Sequence, residues 1–334
     1  MRRATVVAAT LAALVALGAA PAQATFPGKN GRIVFQRPIG KQVDLFTVGA
    51  NGNRLHRLTR TRTWEEQAEW SADGGRLAYA RSAPSGSPTE IWTMNADGTD
   101  PRAATSFGSG SLAPTWSPDG LIAYFSLRDF PPPKSDQDPP PPAELYSMGA
   151  DGSDQQRLTD DRTIQTDPEW SPDGSLIAYS KWCPVPRQPG VFDLGLYVMK
   201  PDGTGVHPVL PCNGKRDIVT ASWSPDGRRI VYEIATPRPD GREPGSRQSD
   251  IGVVNADGTG LRRLTRTAAL ETHPVWSPDG RRIAFTADRH ARGKHLERLG
   301  PAFELYTMRA DGHGVRRITH NRVPDLRPDW QAVR

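Results

Sequence analysis

The sequence predicts an all-β fold: a six-bladed β-propeller closed by pairing of the C-terminal strand with the N-terminal blade. Three observations predict it. Gly and Pro number 32 each in 334 residues, too many breakers for a helical protein and without the three-residue period of a collagen. Trp-Ser-Pro-Asp-Gly occurs at Trp116, Trp170, Trp223 and Trp276, with Trp-Ser-Ala-Asp-Gly at Trp70 and a truncated copy, Pro328-Asp329-Trp330, near the C-terminus. The Trp residues are spaced by 46, 54, 53, 53 and 54 positions, a period typical of repeat architectures. Finally, the copies are offset, so that the chain starts on the second strand of one copy and ends on the first strand of another. A ring sealed by its own termini explains that offset and leaves no long open edge.

Arg2 and Arg3 precede an apolar run, Ala4 to Ala20, followed by Ala22-Gln23-Ala24. That pattern predicts a secretory signal over 1–24, leaving 25–334 as the propeller. The apolar run is short for a membrane span, and no later segment is suited to one. Each copy then supplies four short segments rich in β-branched and aromatic residues, separated by Asp-Gly turns. First strands lead into each repeat Trp. Second strands start near Ile33, Leu77, Ile122, Ile177, Ile230 and Ile283. Third strands centre on Phe46, Trp92, Tyr146, Tyr197, Val253 and Tyr306, and fourth strands fall near Leu58, Ala104, Leu158, Val209, Leu264 and Ile318.

Strand alternation puts the tight Asp-Gly turns on one face and the longer, irregular segments on the other. These are Ser82–Thr89, Leu127–Ala143, Lys181–Phe192, Ala235–Ser249 and Ala287–Phe303. Variable loops on a rigid ring favour that loop face for binding. Cys183 and Cys212 end on it within one blade. In an exported protein they are expected to pair, pinning the Lys181–Phe192 segment at roughly 3.5 kcal/mol of chain entropy. The Pro131-Pro132-Pro133 and Pro139-Pro140-Pro141-Pro142 runs predict a stiff, extended spacer.

Trp-Ser-Pro-Asp-Gly, then Ile-Ala-Tyr, Leu-Tyr-x-Met, Ala-Asp-Gly-Thr and Arg-Leu-Thr, resembles the TolB-like β-propeller repeat over about all of the mature chain. The resemblance implies a propeller and, as partner, a protein of the cell envelope. TolB proper carries an α/β domain before its propeller; only Thr25 to Asn30 precede the first strand here, so that domain is not expected. Similar propellers precede the catalytic domain of prolyl-oligopeptidase-type peptidases, and no hydrolase domain is expected after Arg334.

Setting the repeat positions aside isolates candidate functional residues. All seven Tyr and most Trp belong to the repeat. On the loop-face rim remain Trp64, Trp182, Phe130, Phe192 and Phe303, which could stack on a sugar or anchor a peptide. His273, His290, His295 and His320 fall on the same face, without metal-ligand spacing. In the channel, Glu69, Glu169 and Asp329 precede a repeat Trp, with Asp167 and His273 two residues earlier; such carboxylates would favour a cation or a basic peptide segment. No nucleophile elbow, phosphate loop, dinucleotide fingerprint or His-Glu-x-x-His pair occurs. The net charge of +5 has no basic run behind it, which disfavours nucleic acid as partner. The expectation is a periplasmic or extracellular monomer that needs no cofactor or metal. It would act as a protein- or peptide-binding scaffold rather than an enzyme, the alternative being a carbohydrate-binding or carbohydrate-active propeller.

Overall fold

The computed structural model describes residues 26–83, 88–106, 108, 110–130, 141–184, 192–214, 216–237, 247–290 and 303–334; the side chains of Phe192, Pro237 and Arg247 are not among those described. The expected signal segment, Pro131–Pro133, Pro139 and Pro140, His295 and much of each long loop-face segment lie outside the described residues. Within them there is no helix, and hence none long and apolar enough to cross a membrane.

Short extended segments separated by Asp-Gly turns pair with their sequence neighbours, as local strand propensity dictates. β1 (Lys29–Ile39), β2 (Gln42–Gly49) and β3 (His56–Arg57) pair antiparallel in chain order. β4 (Trp64–Trp70), β5 (Arg76–Ser82), β6 (Thr89–Asn95) and β7 (Arg102–Ala103) form the next group, joined to β2 by a single parallel bridge between Val43 and Trp64. Four separate four-stranded sheets follow. They are β8 (Ser111–Trp116) to β11 through β9 (Leu121–Ser126) and β10 (Glu144–Gly149), with β11 at Gln156–Arg157; and β12 (Gln165–Trp170), β13 (Ile177–Pro184), β14 (Phe192–Met199) and β15 (His207–Leu210). Next come β16 (Asp217–Trp223), β17 (Arg229–Pro237), β18 (Arg247–Asn255) and β19 (Arg262–Arg263), then β20 (Glu271–Trp276), β21 (Arg282–Ala287), β22 (Glu304–Arg309) and β23 (Arg316–Arg317). The last strand, β24 (Leu326–Val333), returns to the first sheet and runs antiparallel to β1, with Trp330 opposite Ile33 and Asp329 opposite Val34.

The repeat motifs have local physical roles. In Trp-Ser-Pro-Asp-Gly the Ser hydroxyl donates to the Asp carboxylate, 2.6 Å for Ser171–Asp173, and accepts the N–H that opens the next strand, 2.9 Å from Leu176; the Ala-containing copy at Ser71 does the same. The Gly completes the turn at positive φ, 66° at Gly74, where a side chain would be strained. Arg-Leu-Thr works differently from a simple fourth strand. The paired residues lie one or two positions earlier than the sequence suggests, and only His207–Leu210 is longer than two residues. Past this short ladder the Thr hydroxyl takes over, accepting the N–H of the neighbouring strand: Leu45 to Thr59 at 3.0 Å, and Leu145 to Thr159 and Leu305 to Thr319 at 2.9 Å. The same hydroxyl donates to a buried carboxylate, Thr159 to Glu144 and Thr319 to Glu304 at 2.5 Å, and the motif's Arg pairs with that carboxylate. A buried acid is thereby neutralised and hydrogen-bonded at once.

The core lies between sheets. Each repeat Trp packs in a separate cluster with residues of two neighbouring sheets, from Trp70 beside Val34 and Leu45 to Trp330 beside Val275 and Leu305. The strands that carry these Trp residues are neighbours in the order β4, β8, β12, β16, β20, β24 and β4 again. They surround an axis, and what they point at it forms the candidate site.

Candidate functional site

Each Trp-bearing strand slips register just before its Trp, for example between Glu66 and Glu69 on β4 and between Thr272 and Val275 on β20. Such a bulge leaves an extra residue unpaired and re-aims it. At the bulge Gln67, Ala113, Asp167, His273 and Arg327 hold φ between 47° and 54°; Thr220 has the equivalent place on β16. A non-glycine residue in this region is strained, and strain of this kind concentrates at functional sites. Neighbouring strands brace it: Gln36 Oε1 accepts the Gln67 N–H at 2.9 Å, Gln67 Oε1 the Ala113 N–H at 2.8 Å, and Glu233 Oε2 the His273 N–H at 3.2 Å.

These six residues and those following them line a recess of about 110 Å³ on the axis. Across it the Arg327 guanidinium reaches Asp167, Nη1 to Oδ1 at 3.3 Å, linking β24 to β12. Below them Glu69, Glu169 and Asp329 line both this recess and a second void of about 10 Å³ walled by Phe26, Trp70, Trp116, Trp170 and Trp330. Thr115 Oγ1 lies 2.9 Å from Glu69 Oε1 and 3.5 Å from Glu169 Oε2, and Asp329 Oδ2 accepts the Trp70 N–H at 2.7 Å.

Electrostatics follow from depth. All three acids keep some surface toward the channel, yet protein surrounds them. Desolvation, then repulsion from Glu169 and Asp329, holds Glu69 well above the ordinary carboxylate range; desolvation, then Asp329, does the same for Glu169. Burial raises Asp329 to about 6 against the pull of two backbone N–H groups. Three acids in one place cannot all ionise cheaply, so the floor retains protons toward neutral pH. Desolvation and the Arg327 charge push His273 well below its usual value, so it is a neutral imidazole at pH 7. The site can accept a cationic or hydrogen-bond-donating group. Among the described residues, no group of three or more His, Cys, Asp or Glu side chains is arranged to hold a metal ion.

The structure thus brings together Glu69, Asp167, Glu169, His273 and Asp329. Trp64, Phe130, Trp182 and Phe303 do not line this recess. Trp64 is half-buried and donates its indole N–H to Lys41 O at 2.9 Å; Phe130 lies 5.8 Å under the Arg157 guanidinium; Phe303 accepts the Asp325 N–H through its carbonyl. Trp182 is half-buried on β13, and the Phe192 side chain lies outside the described residues. Trp64, Phe130, Trp182 and Phe303 come from four different strand groups, and Phe192 shares a sheet with Trp182. His320 is exposed after β23, and His290 contacts the Tyr306 hydroxyl. Cys183 and Cys212 form the expected disulfide, with Cα atoms 6.3 Å apart.

Gln67, Thr220, Arg327 and Glu233 escaped the sequence reading. Three of these four stand three residues before a repeat Trp, as Asp167 and His273 do, and a full alignment of the copies on Trp would have found them. Glu233, on a neighbouring strand, leaves no such signal.

No protein-family model matches the sequence. A curated relative, the Tol-Pal system protein TolB of Anaeromyxobacter dehalogenans (strain 2CP-C), is 33% identical over 133 residues, 40% of this chain and 26% of the relative. The match therefore spans about a quarter of that protein. TolB from Acinetobacter baumannii aligns with a TM-score of 0.67 over 90% of this chain and 67% of its own, at 19% identity. An oligogalacturonate lyase in complex with manganese aligns with a TM-score of 0.56 over 90% and 77%, at 14% identity. At such identities the structural alignments speak for architecture alone, and that architecture is the β-propeller. In its repeat motifs and in its fold, the chain is TolB-like.

Proposed function

We propose that the chain is an exported, six-bladed propeller, sealed by β24 on β1, that binds a protein or peptide of the cell envelope at its loop face and channel mouth. Residues 1–24 would direct export, and the disulfide suits an oxidising compartment. The observation that carries the reading is the strained ring of Gln67, Ala113, Asp167, His273 and Arg327 around an acid-floored recess. Strain held at several sheets and aimed at one axis needs a purpose beyond packing, since an ordinary ladder would cost less. The TolB similarity supports an envelope protein as the partner class.

The recess is small, so it would take one side chain or chain end, with the loop face carrying the rest of the contact. Acids outnumber the single Arg327 around it, and Glu66 and Glu233 lie close by, which favours a Lys, an Arg or a free amino group. Capture from a native envelope fraction by the full chain tests this. Asp167→Asn with Glu69→Gln should reduce recovery of the captured partner at least tenfold without lowering the melting temperature, since losing the raised Glu69 charge does not destabilise the fold. Undiminished recovery would refute channel binding.

A further inference from the structure

The opposite face carries a second recess, of about 580 Å³, between the first sheet and the last. Four arginines line it: Arg32 on β1, Arg54 in the β2–β3 turn, Arg282 on β21 and Arg316 on β23, with Asn30, Asn51 and Asn53 beside them. No acidic residue lines it. Among the described residues none of the four arginines forms an ion pair; the Arg32 guanidinium donates to the Thr47 hydroxyl, at 3.1 Å, and its backbone N–H to Gln331 Oε1, at 3.2 Å. Elsewhere the same repeat arginines are occupied. Arg76 and Arg229 lie 5.5 and 4.7 Å from the rings of Trp116 and Trp276.

The turn between the third and fourth strands shows what changed. Its other five copies each carry an Asp, namely Asp97, Asp151, Asp202, Asp257 and Asp311, held below the ordinary carboxylate range by hydroxyl or backbone N–H donors. The first copy has Asn51 there, and its Oδ1 still accepts the N–H two residues on, at 3.3 Å. Thus the turn's hydrogen bond remains while its charge is gone. Three positions later Asp100 and Asp154, or a glycine in the other three copies, occupy the left-handed region; the first copy places Arg54 there, at φ 54°. The turn's invariant Asp is therefore missing from this copy alone, and where the other copies have Asp or Gly an arginine takes a strained position beside three more.

We propose that this recess binds a phosphate-bearing anion. Guanidinium groups match phosphate oxygens in paired geometry, and several converging on one ligand offset the weakness of each exposed charge. Asn30, Asn51 and Asn53 add amide donors. The site lies on the face away from the channel mouth, so it stands independently of the proposed partner binding. A free phosphate and a lipid headgroup offer the same chemistry.

Titration calorimetry of the full chain with inorganic pyrophosphate, and co-sedimentation with phosphatidylglycerol against phosphatidylcholine vesicles, separate the two sources. Binding should weaken at least tenfold in Asn51→Asp/Arg54→Asp, which restores residue types this turn tolerates in other copies and should leave the melting temperature unchanged. Arg282→Gln/Arg316→Gln, at exposed side chains, should weaken it similarly, whereas Arg262→Gln on the same face of the neighbouring sheet should not. Selective loss for pyrophosphate supports a free anion, and selective loss for phosphatidylglycerol a headgroup. Absence of binding to both, unaltered binding in both double variants, or equal weakening by Arg262→Gln overturns the proposal.

Discussion

Gly252 is a place where one hydrogen atom decides the packing. Its partner across the strands is Tyr232. In the other copies this pair is aromatic on aromatic, as in Phe35–Phe46 and Tyr124–Tyr146, with ring centroids 5.8 and 5.7 Å apart. Here the Tyr232 ring lies over the glycine, and a Cβ at position 252 would sit 2.4 Å from Cζ. The ring must move away for any side chain to fit. Gly252→Ala should therefore destabilise the protein by about 1–3 kcal/mol through overpacking, read as a lower urea midpoint. A midpoint equal to that of the parent would show that the ring shifts freely.

At the scale of the element, the bulged strands concentrate acids that the fold would be more stable without. Asp329, raised to about 6 from an unperturbed 3.8, holds more protons folded than unfolded between those values, so it subtracts stability as pH rises through that window. Asp329→Asn keeps an acceptor for the Trp70 N–H and removes the charge. It should match the parent near pH 4 and exceed it at pH 8, by roughly 3 kcal/mol at one pK unit per 1.36 kcal/mol. Denaturation curves at the two pH values check the sign, and an identical gap at both would contradict it. Retaining such acids points to use of the channel. How much of this was legible follows from where information sits in the repeat. The strands, their turns and Glu69, Glu169 and Asp329 could be read because the motif spells them out beside each Trp. The left-handed φ of the ring could not, because five different residue types share it. Arg327 hid in the truncated last copy. Trp64, Phe130 and Phe303 fall outside the repeat, so no repeat position says where their side chains find contacts.

For the whole molecule, the question is whether the junction between the termini behaves as an internal junction. The arginine recess lies at that junction, between sheets built from opposite ends of the sequence, which is why no local motif announced it. Trp330 is 2% exposed and Trp223 1%, although one stands four residues from the C-terminus and the other in mid-chain. In an open stack the terminal strand would fray and its Trp would contribute little. In a ring, Trp330 closes the cluster of Ile33, Phe46, Val275 and Leu305 as Trp223 closes its own. Trp330→Ala should then cost about 3–5 kcal/mol, as a large buried aromatic does, and about as much as Trp223→Ala. Removing residues 326–334 should do more: it uncovers the pairing edge of β1, which predicts concentration-dependent association as well as a lower melting temperature. If Trp330→Ala costs under about 1 kcal/mol while Trp223→Ala retains its full effect, the termini do not seal the ring.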